Sequence, residues 1–287
     1  MSALSEALAA SPLLLGISAS VLGLLVGSFL NVVILRLPRM MEADWKKECS
    51  ALLEIEATAA PTKVSLMSPP SCCPSCGAGI RPWQNIPVIS WLLLRGRCAQ
   101  CRTSISIQYP LVELLAGVAA AVCVWRFGWS TQLAAALVLS WALIALTVID
   151  LRELLLPDDL TLPLLWLGLA LSTLPVFADM SASIWGGIAG YLSLWSIYHL
   201  FKLATGKEGM GYGDFKLLAA LGAWFGAATL PMILLLSSVV GAVVGIALIA
   251  FGGRDRSQPI PFGPYLAGAG WLTLIWGDAL GGLVARP

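Results

Sequence analysis

The chain has 287 residues, is 58% hydrophobic and only 11% charged, with a mean hydropathy of +0.85. A soluble domain carries about a quarter charged residues, so a water-soluble globular protein is excluded. The formal net charge of +1 gives no nucleic-acid signal, because the basic residues are segregated along the chain rather than gathered for a partner.

In chain order, the first ten residues contain Glu6 but no Lys or Arg. They therefore lack the basic start of a cleaved secretory signal, and the first apolar run reads as a retained anchor. Eight apolar stretches then follow: roughly Leu13–Leu35, Pro110–Trp125, Gln132–Thr147, Leu160–Val176, Ile184–Leu203, Phe215–Thr229, Met232–Phe251 and Tyr265–Leu280. Backbone groups in lipid must be satisfied within their own segment, so these are expected as helices. The fold class read from the sequence is thus an all-α integral membrane protein with about eight transmembrane helices. Placing the N-terminus outside puts Arg36, Arg39, Lys46, Lys47, Lys63, Arg81, Arg95, Arg97, Arg102, Arg152, Lys202, Lys207, Arg254 and Arg256 inside. Only Arg126 and Arg286 then fall outside, with Lys216 near an inner boundary, as the positive-inside rule requires.

The connection from Pro38 to Ile107 is too long for a turn and reads as a small cytoplasmic insert. Three parts result: a first transmembrane helix (1–37), the insert (38–107) and a seven-helix membrane part (108–287). Early in the insert, Glu42, Asp44, Glu48, Glu54 and Glu56 form an acidic cluster interrupted by Lys46 and Lys47. This is either a surface that steers a basic peptide or a solvated amphipathic helix. Further on stand Cys73-Pro74-Ser75-Cys76 and Cys98-Ala99-Gln100-Cys101. Two such knuckles can close four thiolates around Zn²⁺, and a cytoplasmic setting disfavours the disulfide alternative. Four thiolates leave no open coordination position, so the zinc would be structural. The alternatives are reduced thiols or a redox pair, and Cys72 could replace Cys73. Cys49 and Cys123 lack partners at ligand spacing and read as ordinary thiols.

Beyond the insert, Glu113 opens the second span and can pair with a basic loop residue. Asp150 ends an otherwise uncharged span, and Asp214 follows Gly211-Tyr212-Gly213 at the start of another. Under the topology above both lie at the cytoplasmic boundary, where ionisable residues are functional candidates. A neighbouring pair of carboxyl groups can supply an acid and a base for peptide hydrolysis. The structural alternative pairs Asp150 with Arg152 or Lys216. Gly211 and Gly213 would let a substrate backbone approach. Asp158 and Asp159 are placed to cap a helix, and His199, the sole histidine, reads as a packed helical residue. Two other classes fit the same residues, a proton-coupled transporter and a zinc-knuckle scaffold, although carboxylates at one edge and the lack of a repeat speak against the first.

Beyond these local readings, the chain resembles a family. Gly27-Ser28-Phe29-Leu30-Asn31-Val32-Val33 with Arg36-Leu37-Pro38, the paired knuckles and Ser106-Ile107-Gln108-Tyr109-Pro110-Leu111-Val112-Glu113 carry the first half of the likeness. Asp150 with Leu156-Pro157-Asp158, the run Gly206 to Lys216, and Pro259-Ile260-Pro261-Phe262-Gly263-Pro264 carry the second. In that order they resemble the bacterial type IV prepilin peptidases, bifunctional leader peptidases and N-methyltransferases of the GxGD aspartic-protease group. The resemblance implies a multi-pass inner-membrane enzyme that cleaves prepilins and pseudopilins, whose leaders are basic, after a glycine at the cytoplasmic face. It also implies methylation of the new N-terminal residue, usually phenylalanine, from S-adenosylmethionine. The family's catalytic aspartates fall on Asp150 and Asp214, and its zinc ligands on Cys73, Cys76, Cys98 and Cys101. No glycine-rich dinucleotide fingerprint is present for the methyl donor; the family places that activity around the insert, which makes Gly96 its candidate.

Overall fold

The computed structural model describes residues 3–54, 64–251 and 259–284. Among these residues the regular structure is helical, the stretch 64–107 being mostly turns, with no strand beyond two isolated bridges, Cys72 with Gly79 and Arg97 with Ser104. The helices are α1 (Ala3–Ala10), α2 (Pro12–Leu52), α3 (Ile89–Leu93), α4 (Gln108–Phe127), α5 (Thr131–Glu153), α6 (Asp158–Leu171), α7 (Met180–Thr205), α8 (Tyr212–Phe225), α9 (Leu230–Phe251) and α10 (Gly263–Val284). Each of the eight expected spans coincides with one of them, from α2 to α10 with α3 left over. Four segments are long and apolar enough to cross a bilayer: Pro12–Leu52, Gln108–Phe127, Thr131–Glu153 and Ala227–Phe251. With 14 residues each, α6 and α8 reach only about 21 Å at 1.5 Å per residue, short of a hydrocarbon core of about 30 Å.

The chain divides into two compact units, 1–129 and 130–287. This division groups α4 with α2 and the insert, where the sequence reading grouped it with the later helices. In the first unit, α2 starts at a Ser11 cap, whose Oγ accepts from the Leu14 N–H at 3.3 Å, with Pro12 in the first turn. The helix then runs 41 residues, through Pro38 and past the expected boundary at residue 37, to Leu52. Pro38 removes one backbone donor, but the following Met-Met-Glu-Ala-Asp-Trp-Lys-Lys run is rich in helix formers, and Lys46 Nζ sits 2.6 Å from Glu42 one turn back. The acidic stretch is therefore a solvated helix as far as Glu48, its Glu42 charge engaged by Lys46; Glu56 and Lys63 lie outside the described residues.

Close packing of α2 on α4 follows from Gly23 and Gly27, one turn apart. A Cβ at Gly23 would lie 2.5 Å from the Ala116 carbonyl, and one at Gly27 would lie 2.6 Å from Glu113 Cα. Small residues at this spacing let helix backbones approach. Asn31, buried at the same seam, donates from Nδ2 to the Tyr109 carbonyl at 3.1 Å. Among the described residues Glu113 pairs with no cation: its Oε2 accepts the Val88 N–H at 2.7 Å. Val88 takes a left-handed φ of 60° at the start of α3, which turns its amide toward Glu113 and ties the insert to α4. Arg36 makes a second tie, donating to the Ser65 carbonyl at 2.9 Å and the Pro69 carbonyl at 2.6 Å.

In the second unit the same device joins α7 to α8. Gly186 faces Gly222 so closely that neither position has room for a Cβ, and a Cβ at Gly190 would come within 2.6 Å of the Leu218 carbonyl. The interior of α8 is buried from Leu217 to Trp224, with Trp224 Nε1 donating to the Leu164 carbonyl of α6 at 2.8 Å. Helix α10 packs on both α5 and α8, and Trp271 Nε1 donates to Ser140 Oγ on α5 at 3.0 Å.

Candidate active site and metal centre

Asp150 and Asp214 enter the same end of the second unit from opposite chain directions. Asp150 lies one turn before the C-terminus of α5, and Asp214 lies in the first turn of α8. They are 5% and 7% exposed, and the charge of Asp150 acts on Asp214. Asp150 Oδ2 accepts the Gly263 N–H at 3.0 Å. Gly263 is the first residue of α10, so the carboxylate meets the positive end of that helix. A larger residue at 263 would displace its neighbours: a Cβ there would stand 2.6 Å from Asp150 Oδ2 and 3.1 Å from Leu156 Cδ2. The turn that follows α5 explains how Leu156 arrives. Leu154 caps the helix in a left-handed conformation (φ 53°) and the chain folds back, burying Leu156.

Leu156 also fills the space beside Asp214. A Cβ at Gly213 would lie 2.7 Å from Leu156 Cβ, so this glycine admits a residue of its own chain rather than a substrate backbone. Gly211 differs: the nearest atom to its would-be Cβ is Asp214 Oδ2 at 3.8 Å, which leaves that side of the aspartate open. Tyr212 holds the start of α8 by packing its ring on Tyr198 of α7 and on Phe215, both with centroids 5.3 Å away. His199 adjoins this aromatic group, with ring centroids 4.3 Å from Trp195 and 5.1 Å from Tyr198, but it is exposed rather than packed.

The surface pairing weighed for Asp150 goes elsewhere. Lys216 Nζ binds both oxygens of Asp158, at 2.6 and 2.7 Å, and Arg152 lies 3.8 Å from Glu153. Asp158 therefore links α6 to α8 instead of capping α6, whose N-cap is Pro157 without a side-chain bond. Two residues with no assigned role in the sequence reading line the site: Gly263 lies against Asp150, and Leu156 lies against both Gly213 and Gly263. The only signal for them was their place in the Leu-Pro-Asp and Pro-Phe-Gly-Pro runs, because their function is to fit a tertiary neighbour.

In the insert, the Sγ atoms of Cys73, Cys76, Cys98 and Cys101 all lie within 4.8 Å of one another, with 3.7 Å between those of Cys73 and Cys101. Tetrahedral Zn–S bonds of about 2.3 Å require S–S edges of about 3.8 Å, so the four thiols fit a metal ion. The two knuckles repeat one turn. Gly77 N–H donates to the Cys73 carbonyl and Arg102 N–H to the Cys98 carbonyl, and both Gly77 and Arg102 have positive φ. Cys72 pairs through its backbone with Gly79, and the sulfurs that cluster are those of Cys73, Cys76, Cys98 and Cys101. Crowding splits the thiols. The Thr103 hydroxyl, 3.2 Å away, holds Cys101 down to about 6. The Ala78 amide favours the Cys76 thiolate, but its cysteine neighbours and burial push that thiol up to about 11. Four adjacent thiolates need a cation, and the cluster can hold one.

Gly96 sits between the knuckles with a φ of 66°, and a Cβ there would lie 2.8 Å from the Trp91 ring. The turn and the indole account for glycine at this position without a bound cofactor, so no residue here is matched to a methyl donor.

Known proteins place the whole chain. Residues 21–127 match the model of the bacterial peptidase A24 N-terminal domain, and residues 137–246 match the type IV leader peptidase family. Among curated proteins, the prepilin leader peptidase/N-methyltransferase of Stutzerimonas stutzeri is 55% identical, covering 96% of this chain and 95% of its own length. Proteins of the same name from Pseudomonas aeruginosa and Neisseria gonorrhoeae are 50% and 48% identical, over 96% and 91% of both chains. No solved structure matches the chain. Identity at this level, end to end and across both domain models, makes the chain a member of the type IV leader peptidase family.

Proposed function

We propose that this inner-membrane protein cleaves the leader peptide from type IV prepilins and pseudopilins and N-methylates the new N-terminal residue. Membership of the family and the names of its relatives support both activities. The observation that carries the cleavage site is the meeting of Asp150 and Asp214 at one end of the second unit, with Gly263 donating to the first. In this reading the ionised carboxylate takes a proton from water, and the resulting hydroxide attacks the scissile carbonyl. The protonated partner gives its proton to the amide nitrogen as the C–N bond breaks, leaving a carboxyl group on the leader and a free amine on the pilin. The Asp150 carboxylate is oriented by the Gly263 amide, which favours it as the charged member. The open side of Asp214 at Gly211 is where the peptide backbone would lie.

The N-terminus is placed in the periplasm and the aspartate ends of α5 and α8 at the cytoplasmic face, following the distribution of Lys and Arg. Basic prepilin leaders would then remain on the cytoplasmic side while their apolar helices enter the membrane. Zn²⁺ in the four-cysteine site would be structural, cross-linking two turns that otherwise share no core. S-adenosylmethionine is the methyl donor that the N-methyltransferase activity requires; its site is assigned to no residue.

The test is a two-part assay on the purified full chain carrying Asp150→Asn or Asp214→Asn. Cleavage of a prepilin should be lost in both variants, while methylation of an already cleaved pilin persists. Full cleavage by either variant rejects the dyad, and an unprocessed prepilin with the unaltered protein would return the transporter and scaffold readings.

A further inference from the structure

Residues 64–107 contain four arginines, Arg81, Arg95, Arg97 and Arg102, and no aspartate or glutamate. Three of them, Arg95, Arg97 and Arg102, line a cavity of about 450 Å³ beside the second cysteine knuckle, together with Leu93, Leu94 and Cys98. Among the described residues no carboxylate forms an ion pair with any of the three. Even a dianionic zinc–thiolate centre would leave this segment with surplus positive charge. Two of the arginines sit where the backbone favours glycine, with φ of 51° at Arg95 and 60° at Arg102. Their amides are fixed there by the Leu92 and Cys98 carbonyls, at 3.0 and 3.1 Å.

An apolar face adjoins this basic cavity. Ile89, Leu92 and Leu93 share one side of α3 at helical spacing and are exposed, Leu93 by 75% while it also lines the cavity. Ile86 and Trp83, just before α3, are exposed as well. The segment cannot leave the bilayer surface, because Arg36 of α2 grips its start and α4 begins immediately after Ile107. We propose that the Arg95–Arg97–Arg102 cavity binds the phosphate headgroup of an anionic phospholipid, with Ile89, Leu92 and Leu93 seated in the adjoining interface. Guanidinium groups bind phosphate oxygens in pairs, and an anionic leaflet attracts basic segments at its surface. Apolar side chains beside such a patch add their own burial. Free phosphate would satisfy the arginines but leaves the apolar face uncovered, so the lipid is the occupant that explains both halves.

The test is lipid retention by the full-length protein, moved from nanodiscs of phosphatidylcholine mixed with phosphatidylglycerol into detergent and weighed by native mass spectrometry. Phosphatidylglycerol should be kept about 10- to 100-fold over phosphatidylcholine, as three arginines near a lipid surface imply. The triple variant Arg95→Gln, Arg97→Gln, Arg102→Gln should lose that preference while retaining its metal, which reports that the knuckles are folded. Triple replacement by lysine should keep part of it, and Leu92→Ser with Leu93→Ser should lower it with all arginines present. Undiminished retention by a metal-bound glutamine variant overturns the proposal. So does complete displacement by millimolar inorganic phosphate together with indifference to the leucine changes, which would mark a free-phosphate site. If the glutamine variant loses its metal, the leucine pair decides: unaltered retention there overturns the proposal.

Discussion

The cysteine centre and the aspartate site are built in opposite ways. The outer two cysteines of the cluster, Cys73 and Cys101, are 28 residues apart, and each pair of cysteines is presented by a single tight turn whose backbone bonds are internal to the knuckle. The aspartates come from two helices that arrive at one end of the second unit from opposite directions, and the amide that holds Asp150 is 113 residues away in sequence. A centre made from turns depends on its ligands. A site made from helix ends depends on whatever keeps those ends in place, here Leu156, Gly213 and Gly263, none of which has a functional group in its side chain.

The largest effect should come from the aspartates themselves. Asp150→Asn and Asp214→Asn should each lower prepilin cleavage by 10²- to 10⁴-fold, about the contribution of a positioned acid or base; equal deep losses in a gel-shift assay would support a shared site, and a loss confined to one would break it. Next, Cys76→Ser should weaken metal binding by more than about 100-fold, exceeding the effect of outer-shell changes. Cys72→Ser should retain the metal in full, and metal analysis of the two purified proteins decides between them. Metal should also be lost on acidification, because protons compete for the thiolates.

The comparison is sharpened most by Gly263→Ala. The added methyl would press on Asp150 and Leu156, and a displacement of about 1 Å at a reacting group can cost about 100-fold in rate. Cleavage should fall by about 10- to 100-fold with metal content unaltered; unchanged kcat/KM would show that Asp150 does not depend on this contact. The smallest effect is expected at Lys216→Met. Its pair with Asp158 is partly solvated, with side chains 27% and 51% exposed, and such pairs contribute about 0–1 kcal/mol. Cleavage should stay within a few-fold of the unaltered protein, and a deep loss would make Lys216 part of the site.

Different parts of the molecule were legible to different degrees. The helices coincide with the apolar runs because hydrophobicity over a window of about 20 residues is a property of composition. The knuckles were legible from CxxC spacing, which is local. Helix α2 runs on past Pro38, where the first transmembrane helix was expected to end, since a helix can cross a proline when the following residues favour helix, as Glu42, Lys46 and their neighbours do. Gly213 was read as a door for substrate and proves to be a seat for Leu156. Asp158, expected as a cap, instead reaches Lys216 on a helix 58 residues on. The last two of these differences involve a partner distant in sequence.

Amino-acid order alone was enough to make this a helical membrane protein, to mark four cysteines as a group able to hold a metal and to single out two carboxylates in an apolar setting. These follow from local composition and spacing, which carry no information about distant neighbours. That Asp150 meets the start of α10, that Leu156 lies beside Gly213 and Gly263, and that Cys73 rather than Cys72 joins the cluster are consequences of packing. Close packing leaves space for one arrangement of side chains at each contact, and which residues share a contact emerges only when the helices have come together.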